Sequence, residues 1–317
     1  VIDITLNNWF EKVTGKDYDM FLLRPPGRLE RFKKLYDERV FILSQILGKN
    51  IYPSTVETLI YENKRLLRDW LKANNIPQPE SFIFFNEDEA VRFTGDCNNF
   101  PVVAKTNMGA SGNGVVFINT KAELLDYIER AFTSGNKSKS GFKLFKGSIF
   151  KKIKKLYSNK NFLKQRLDDY KVMAGEVEKG IVFFQEFIPH LYEWRCVRIG
   201  DSFFAHQKIA KNNMSSGTLL KGYGPVPESL LAFVKEITDR TKLNSTSIDI
   251  FEKDGHYLVN EIQCFFGQSD PYQMLVNDKP GRYRHIKGKW HFEEGDFARN
   301  SCYDLRLEHA ISILNKQ

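Results

Sequence analysis

The spacing of apolar positions changes from segment to segment along this chain, and the changes mark its elements. Val56, Leu59, Ile60, Leu66, Leu67, Trp70 and Leu71 recur at helical intervals, which predicts one helix from Thr55 to Asn74. It stops at Asn74-Asn75-Ile76-Pro77, because a residue before proline is pushed out of the α region. Upstream, a strand candidate at residues 19–23 and an Arg24-Pro25-Pro26-Gly27 turn precede a helix-like stretch at 29–47. A strand at 81–85 and a short acidic helix from Asn86 follow. Thr120-Lys121-Ala122-Glu123 has the form of a capping box for a helix at 122–132. Alternating or continuous apolar runs then predict strands at 180–185, 193–199, 202–210, 247–251 and 257–263. Helices are expected at 228–240 and 302–314. Hairpin-length turns at Gly200-Asp201 and Asp254-Gly255 favour an α+β fold over a doubly wound sheet.

Composition changes this picture at two points. The 317 residues are long enough for two or three subdomains with a sizeable core. The net charge of +8 is unevenly spread: residues 137–171 hold 12 Lys/Arg against Asp168 and Asp169, so this window carries +10 and the rest −2. One basic insertion on a near-neutral body reads either as a solvated segment or as a dock for a local acidic partner. It has few aromatics for base stacking, which argues against nucleic acid. Second, the four cysteines are far apart with no Cys-x-x-Cys, and the six histidines lack metal-ligand spacing. Reduced thiols, no run near the roughly 18 apolar residues of a membrane span, and no secretory segment make the cytoplasm the expected compartment. Because the chain opens on Val1, a removed leader stays open.

Three stretches carry candidate chemistry. Pro101-Val102-Val103-Ala104-Lys105 leads into a small-residue loop with Gly109, Ser111, Gly112 and Gly114, and a second apolar run follows. Glycines let backbone N–H groups close round an anion, and a lysine at the strand end adds a point charge for phosphate. An ordinary glycine-rich hairpin has the same outline. Val182-Phe183-Phe184-Gln185-Glu186-Phe187-Ile188-Pro189 is an apolar strand running into an acceptor-rich hinge, suited to a purine base or simply to a core strand ending in a turn. Glu193, seven residues beyond Glu186, is placed to accept from ribose hydroxyls. The third stretch, Ser247 to Gln263, reads as a β-hairpin in which Glu261 and Gln263 share a face and Asp249 opposes them. Two carboxylates and an amide oxygen suit Mg²⁺, with a salt-bridged structural pair as the alternative.

Taken in order, these segments resemble the ATP-grasp superfamily over roughly residues 60–270, and most closely its carboxylate–amine ligases, of the D-alanine–D-alanine ligase and ribosomal-protein glutamate ligase types. Asn63-Lys64-Arg65-Leu66-Leu67, then Ile76-Pro77-Gln78-Pro79, resembles the family's first ATP-binding lysine and the turn behind it. Lys105 is similar to the second phosphate lysine, Gly109 to Val115 to the mobile phosphate loop, and Gln185, Glu186 and Ile188 to the adenine hinge. Glu193-Trp194-Arg195-Cys196-Val197-Arg198-Ile199-Gly200 and Phe204-Ala205-His206-Gln207-Lys208 resemble the glutamate-ligase strands. Gln263 stands where the family has asparagine, and Ser247 where D-alanine–D-alanine ligase has arginine, so oxyanion stabilisation is expected from Arg195, Arg198 or Lys208.

The resemblance implies an N-terminal α/β segment at 1–60, a central and lid subdomain at 61–190 holding the basic insertion, and a C-terminal subdomain at 191–317 with the metal site. It implies ATP with two Mg²⁺ ions on Asp249, Glu261 and Gln263, and an ADP-forming reaction through an acyl phosphate. A small-molecule, peptide or glycan carboxylate and an amine would be the partners, with no membrane or nucleic acid and room for a homodimer. The alternatives are an ATP-grasp kinase acting on an anionic substrate and a non-catalytic binding module docking through the basic insertion.

Overall fold

A computed structural model describes residues 1–27, 29–109, 114–137, 177–211, 214–215 and 220–316. The chain divides into two compact units, one of residues 1–27, 31–80 and 187–317, the other of 28–30 and 81–186.

The first unit begins with helix α1 (Trp9–Thr14), strand β1 (Phe21–Leu22), helix α2 (Glu30–Phe41), a π-helical turn (Ile42–Ile46) and strand β2 (Ile51–Tyr52), with β1 and β2 parallel. Val13, Tyr36, Val40 and Leu43 form its local core. The helix expected at 55–74 is in fact two, α3 (Thr55–Ile60) and α4 (Lys64–Ala73). Glu62 at φ 49° breaks the first, and the Asn63 side chain caps the second by accepting from Leu66 N–H. Ser54 and Glu57 close a capping box on α3.

The second unit is a four-stranded antiparallel sheet under two helices. β3 (Ser81–Phe84), α5 (Glu87–Asp96), β4 (Val102–Lys105), β5 (Val115–Ile118) and α6 (Lys121–Thr133) come first. A short β6–β7 ladder (Asn136–Lys137 with Val177–Glu178) and β8 (Val182–Glu186) complete it. The sheet order is β3-β8-β4-β5. Phe184, Ile118, Leu124 and Ile128 are fully enclosed in its core, each worth about 1.5–3 kcal/mol of burial. The basic insertion lies outside the described residues from 138 onward.

The remainder of the first unit carries the large sheet. Its long strands are β9 (Tyr192–Ile199) and β10 (Ser202–Lys211), with β11 (Met214–Ser215) and β12 (Lys221–Gly222) on the edge of β10. Helix α7 (Glu228–Thr241) precedes the hairpin β13 (Ser245–Lys253) and β14 (His256–Gln263). Short β15 (Leu275–Val276) leads to a hairpin that the sequence reading missed, β16 (Lys279–Ile286) and β17 (Lys289–Glu294), and α8 (Arg299–Leu314) ends the chain. The order is β14-β13-β9-β10-β16-β15, so β9 is an interior strand. Leu230, Leu231, Val234 and Ile237 of α7 join Trp194, Cys196, Ile248, Ile250 and Ile262 in one core. All four cysteines are buried and free. Among the described residues no helix is long and apolar enough to cross a membrane.

Candidate functional site

Register assembles the site on the large sheet. In antiparallel pairs, residues directly opposite share a face. Glu193 opposes Lys208 and Arg195 opposes His206 between β9 and β10. Arg195 also opposes Asp249 on β13, and Asp249 opposes Glu261 and Ser247 opposes Gln263 on β14. One polar face therefore carries Glu193, Arg195, His206, Lys208, Asp249, Glu261 and Gln263. The β13–β14 register shifts just beyond Asp249, a bulge that twists the hairpin beside the carboxylates.

The charges on this face are tightly paired. Arg195 grips both oxygens of Asp249 side-on, Nε to Oδ1 at 2.8 Å and Nη2 to Oδ2 at 2.9 Å. Lys208 Nζ donates to the same Oδ2 at 2.7 Å and to Glu193 at 3.1 Å. Asp249, Glu193 and Lys208 are buried. Burial by itself would push the Asp249 carboxyl up, but the Arg195 and Lys208 charges outweigh it and hold it well below the usual range. Burial would likewise lower Lys208 and Arg195, and their carboxylate partners raise both above ordinary values. Glu193 and Glu261 add to the field on Arg195.

His206 is the residue on this face that sequence reasoning left without a role. Its even spacing from Lys208 on one strand was the available signal. Its Nδ1 lies 2.8 Å from the Gln273 carbonyl, which makes it the donor and fixes the tautomer, and Nε2 is buried with no partner among the described residues. Burial first, then the Lys221 and Arg195 charges, drive its pKa from 6.5 down to about 3. Because the folded value is the lower one, the unfolded chain takes up a proton that the folded chain refuses as pH falls below 6.5. Stability from this group is complete above pH 6.5 and declines down to about pH 3, at roughly 1.4 kcal/mol per pH unit. His206→Gln is expected to flatten the slope of stability against pH by about one proton between pH 6 and 4. Urea unfolding at stepped pH measures it, and parallel slopes for variant and wild type would refute the assignment.

Arg198, expected with the catalytic group, lies on the other face of β9. Its guanidinium donates to Thr238 Oγ1 at 2.6 Å and to the Gly200 carbonyl at 2.9 Å, and it pairs with Asp239 at 2.5 Å. It thus ties β9 to α7, away from Arg195. Lys64 is the first residue of α4 and Ile188 is buried just beyond β8. Gln263 reaches the Glu62 carboxylate at 3.5 Å.

The second unit holds the remaining candidates. Lys105 ends β4, directly opposite Val115. Thr106 closes the loop entrance, its N–H donating to the Gly114 carbonyl at 2.9 Å and its hydroxyl to the Met108 carbonyl at 2.7 Å. Gly114 is obligatory there, because its φ is +79° and a Cβ would stand 1.9 Å from Thr106 Oγ1. Gly109 opens the loop, whereas Ser111 and Gly112 lie outside the described residues. The buried Gln185 side chain donates to Ser81 Oγ at 3.3 Å, and Glu186 ends β8.

No protein-family model and no curated protein matches the chain. Among solved structures, it is similar to a D-alanine–D-alanine ligase from Bacillus anthracis, at 16% identity and a TM-score of 0.54, with 98% of this chain and 86% of that one covered. The same enzyme complexed with ATP matches at 15% identity and a TM-score of 0.51, over 98% and 85% of the two chains. A RimK domain ATP-grasp protein from Sphaerobacter thermophilus matches at 17% identity and a TM-score of 0.49, over 78% and 74%. The fold is the ATP-grasp fold.

Proposed function

We propose that this ATP-grasp protein is an ATP-dependent, ADP-forming carboxylate–amine ligase that joins an amino acid to a peptide or glycan through an acyl phosphate. The observation that carries the reading is the single sheet face on which Glu193, Arg195, Lys208, Asp249, Glu261 and Gln263 meet by register. Its support in kind is the shared fold with a D-alanine–D-alanine ligase that has been seen complexed with ATP.

The donor set fits magnesium. Asp249, Glu261 and Gln263 offer only hard oxygen ligands from two paired strands. Two Mg²⁺ ions and ATP, when bound, supply a charge-shielded γ-phosphoryl group open to in-line attack. In this reading Lys64, Lys105 and the amides of the 109–114 loop hold the triphosphate. The backbone at Glu186 and Ile188 and the side chain of Gln185 serve the base, and Glu193 serves the ribose. Arg195 and Lys208, which here neutralise Asp249, exchange that carboxylate for the substrate carboxylate and the oxyanions that form on it. They need no new charge for this, only a change of partner. The substrate carboxylate attacks phosphorus, ADP leaves, and the acyl phosphate is cleaved by an amine to give amide and phosphate. Arg198 takes the structural part, holding β9 to α7.

Hydroxylamine tests the reading. With a carboxylate substrate from a screen of amino acids, short peptides and uronic acids, ATP-dependent release of ADP and phosphate is expected. Added hydroxylamine should divert the acyl group to a hydroxamate. A stable phosphorylated product with no free phosphate would mean a kinase instead.

A further inference from the structure

Arg306 on α8 is only 8% exposed, and its Nε and Nη2 atoms have no hydrogen-bond partner among the described residues. Its surroundings are aromatic rings and thiols. The guanidinium lies 4.1 Å from the Phe266 ring centroid, 5.6 Å from Tyr303 and 5.9 Å from Phe265. Its charge also reaches Tyr52, Cys264 and Cys302, whose pKa values burial raises and Arg306 pulls back down. One carboxylate in this neighbourhood, Glu57, is already committed, accepting backbone N–H groups from Ser54, Asn244 and Ser245. A buried guanidinium with two idle donors is costly, and aromatic faces compensate only part of it.

A second guanidinium makes the arrangement more pointed. Arg24, exposed, sits 5.3 Å from the same Phe265 ring. Phe265 is half-buried and two residues past Gln263, where the chain leaves β14. One ring is thus shared by two positive charges, one facing water and one enclosed. The idle atoms identify what would satisfy them. Nε and Nη2 form the edge with which Arg195 grips both oxygens of Asp249 in this protein. That edge matches a planar carboxylate bidentately.

We propose that the Nε–Nη2 edge of Arg306, enclosed beside the Phe265, Phe266 and Tyr303 rings and assisted by Arg24, receives the free carboxylate of an amino-acid or peptide substrate. This rests on the ligase reading, and it names the carboxylate that the amine substrate keeps. A permanent ion pair suits a group that the reaction leaves charged, whereas the activated carboxylate loses its charge on becoming an acyl phosphate. Since both atoms are shut off from solvent, the ligand enters as Phe265 swings aside, which joins Arg24 and Arg306 into one anion site.

The test titrates the whole chain, labelled with ¹⁵N-arginine, with N-acetylglycine and, separately, with N-acetylglycinamide, which keeps the shape and lacks the charge. The Arg306 Nε–H signal, identified by its loss in Arg306→Lys, is expected to shift saturably with the acid. The amide should bind at least about tenfold more weakly, as for loss of a charge-assisted pair. Phe265→Ala should tighten the acid severalfold and Arg24→Gln weaken it. If Arg306→Lys does not fold, the signal is instead identified as the one that shifts on Phe265→Ala and is still present in Arg24→Gln, since Arg24 lies against the same ring. A signal that ignores the acid, or responds equally to the amide, overturns the proposal. Hydroxamate trapping reads the ligase chemistry separately. Trapping with an unmoved Arg306 signal removes this site and keeps the ligase, and a moved signal without trapping does the reverse.

Discussion

Asp249→Ala is expected to destabilise the first unit by about 3–5 kcal/mol, the range for breaking a buried ion pair from one side. The cost does not come from a lost contact alone. Arg195 and Lys208 both converge on this carboxylate; without it the buried Lys208 keeps Glu193, while the largely enclosed Arg195 loses both of its side-chain hydrogen bonds among the described residues. Asp249→Asn keeps the shape and an acceptor oxygen and removes only the charge, so its cost should fall between wild type and alanine. Urea unfolding followed by tryptophan fluorescence is well suited to the measurement. Trp9, Trp70, Trp194 and Trp290 are all the tryptophans of the chain, and all lie in the first unit. An alanine variant within 1 kcal/mol of wild type would mean that the network is not buried as described.

Glu261→Ala should do the opposite: leave stability within about 1 kcal/mol and lower ATP-dependent turnover by about 10²–10³-fold. That factor corresponds to several kcal/mol of transition-state charge stabilisation by a bound metal. Glu261 opposes Asp249 in register but is half-buried, and among the described residues it has no ion pair to break. The two carboxylates facing each other across one hairpin thus differ in this structure: Asp249 is paired with Arg195 and Lys208, whereas Glu261 is the donor of the proposed magnesium set whose loss breaks no ion pair among the described residues. ADP release measured across a magnesium titration decides the point. Turnover within threefold of wild type at every magnesium concentration would remove Glu261 from the metal site.

Much of the site was legible because strand parity is a local property. Alternation alone places Glu261 with Gln263, and His206 with Lys208, on common faces. The same parity separates Arg195 from Arg198, three residues apart, a consequence the resemblance to glutamate-ligase strands obscured. Gly114 was legible for a comparable reason, since a tight strand–loop–strand return needs a residue without Cβ, and Thr106 fills that space. The break between α3 and α4 had its signal too, an asparagine at position 63 ahead of a fresh helical period. The β16–β17 hairpin was hidden by charge: its Arg and His positions alternate with Tyr, Trp and Phe, and the basic composition masked the period of two.

What the sequence determined by itself is therefore the α+β class, the strands from β8 to β10 and the β13–β14 hairpin, the need for glycine at position 114, and which residues of each strand travel together. Only the tertiary structure decided that β9 lies between β10 and β13, and this ordering is what brings Asp249 to Arg195 and Lys208. Pairing between strands some fifty residues apart is set by the summed burial of both faces of the sheet, which no local pattern encodes. The same holds for Arg306. On sequence it is one more arginine in the last helix, and its enclosure among Phe265, Phe266 and Tyr303 exists only because the segment that follows β14 is brought against α8.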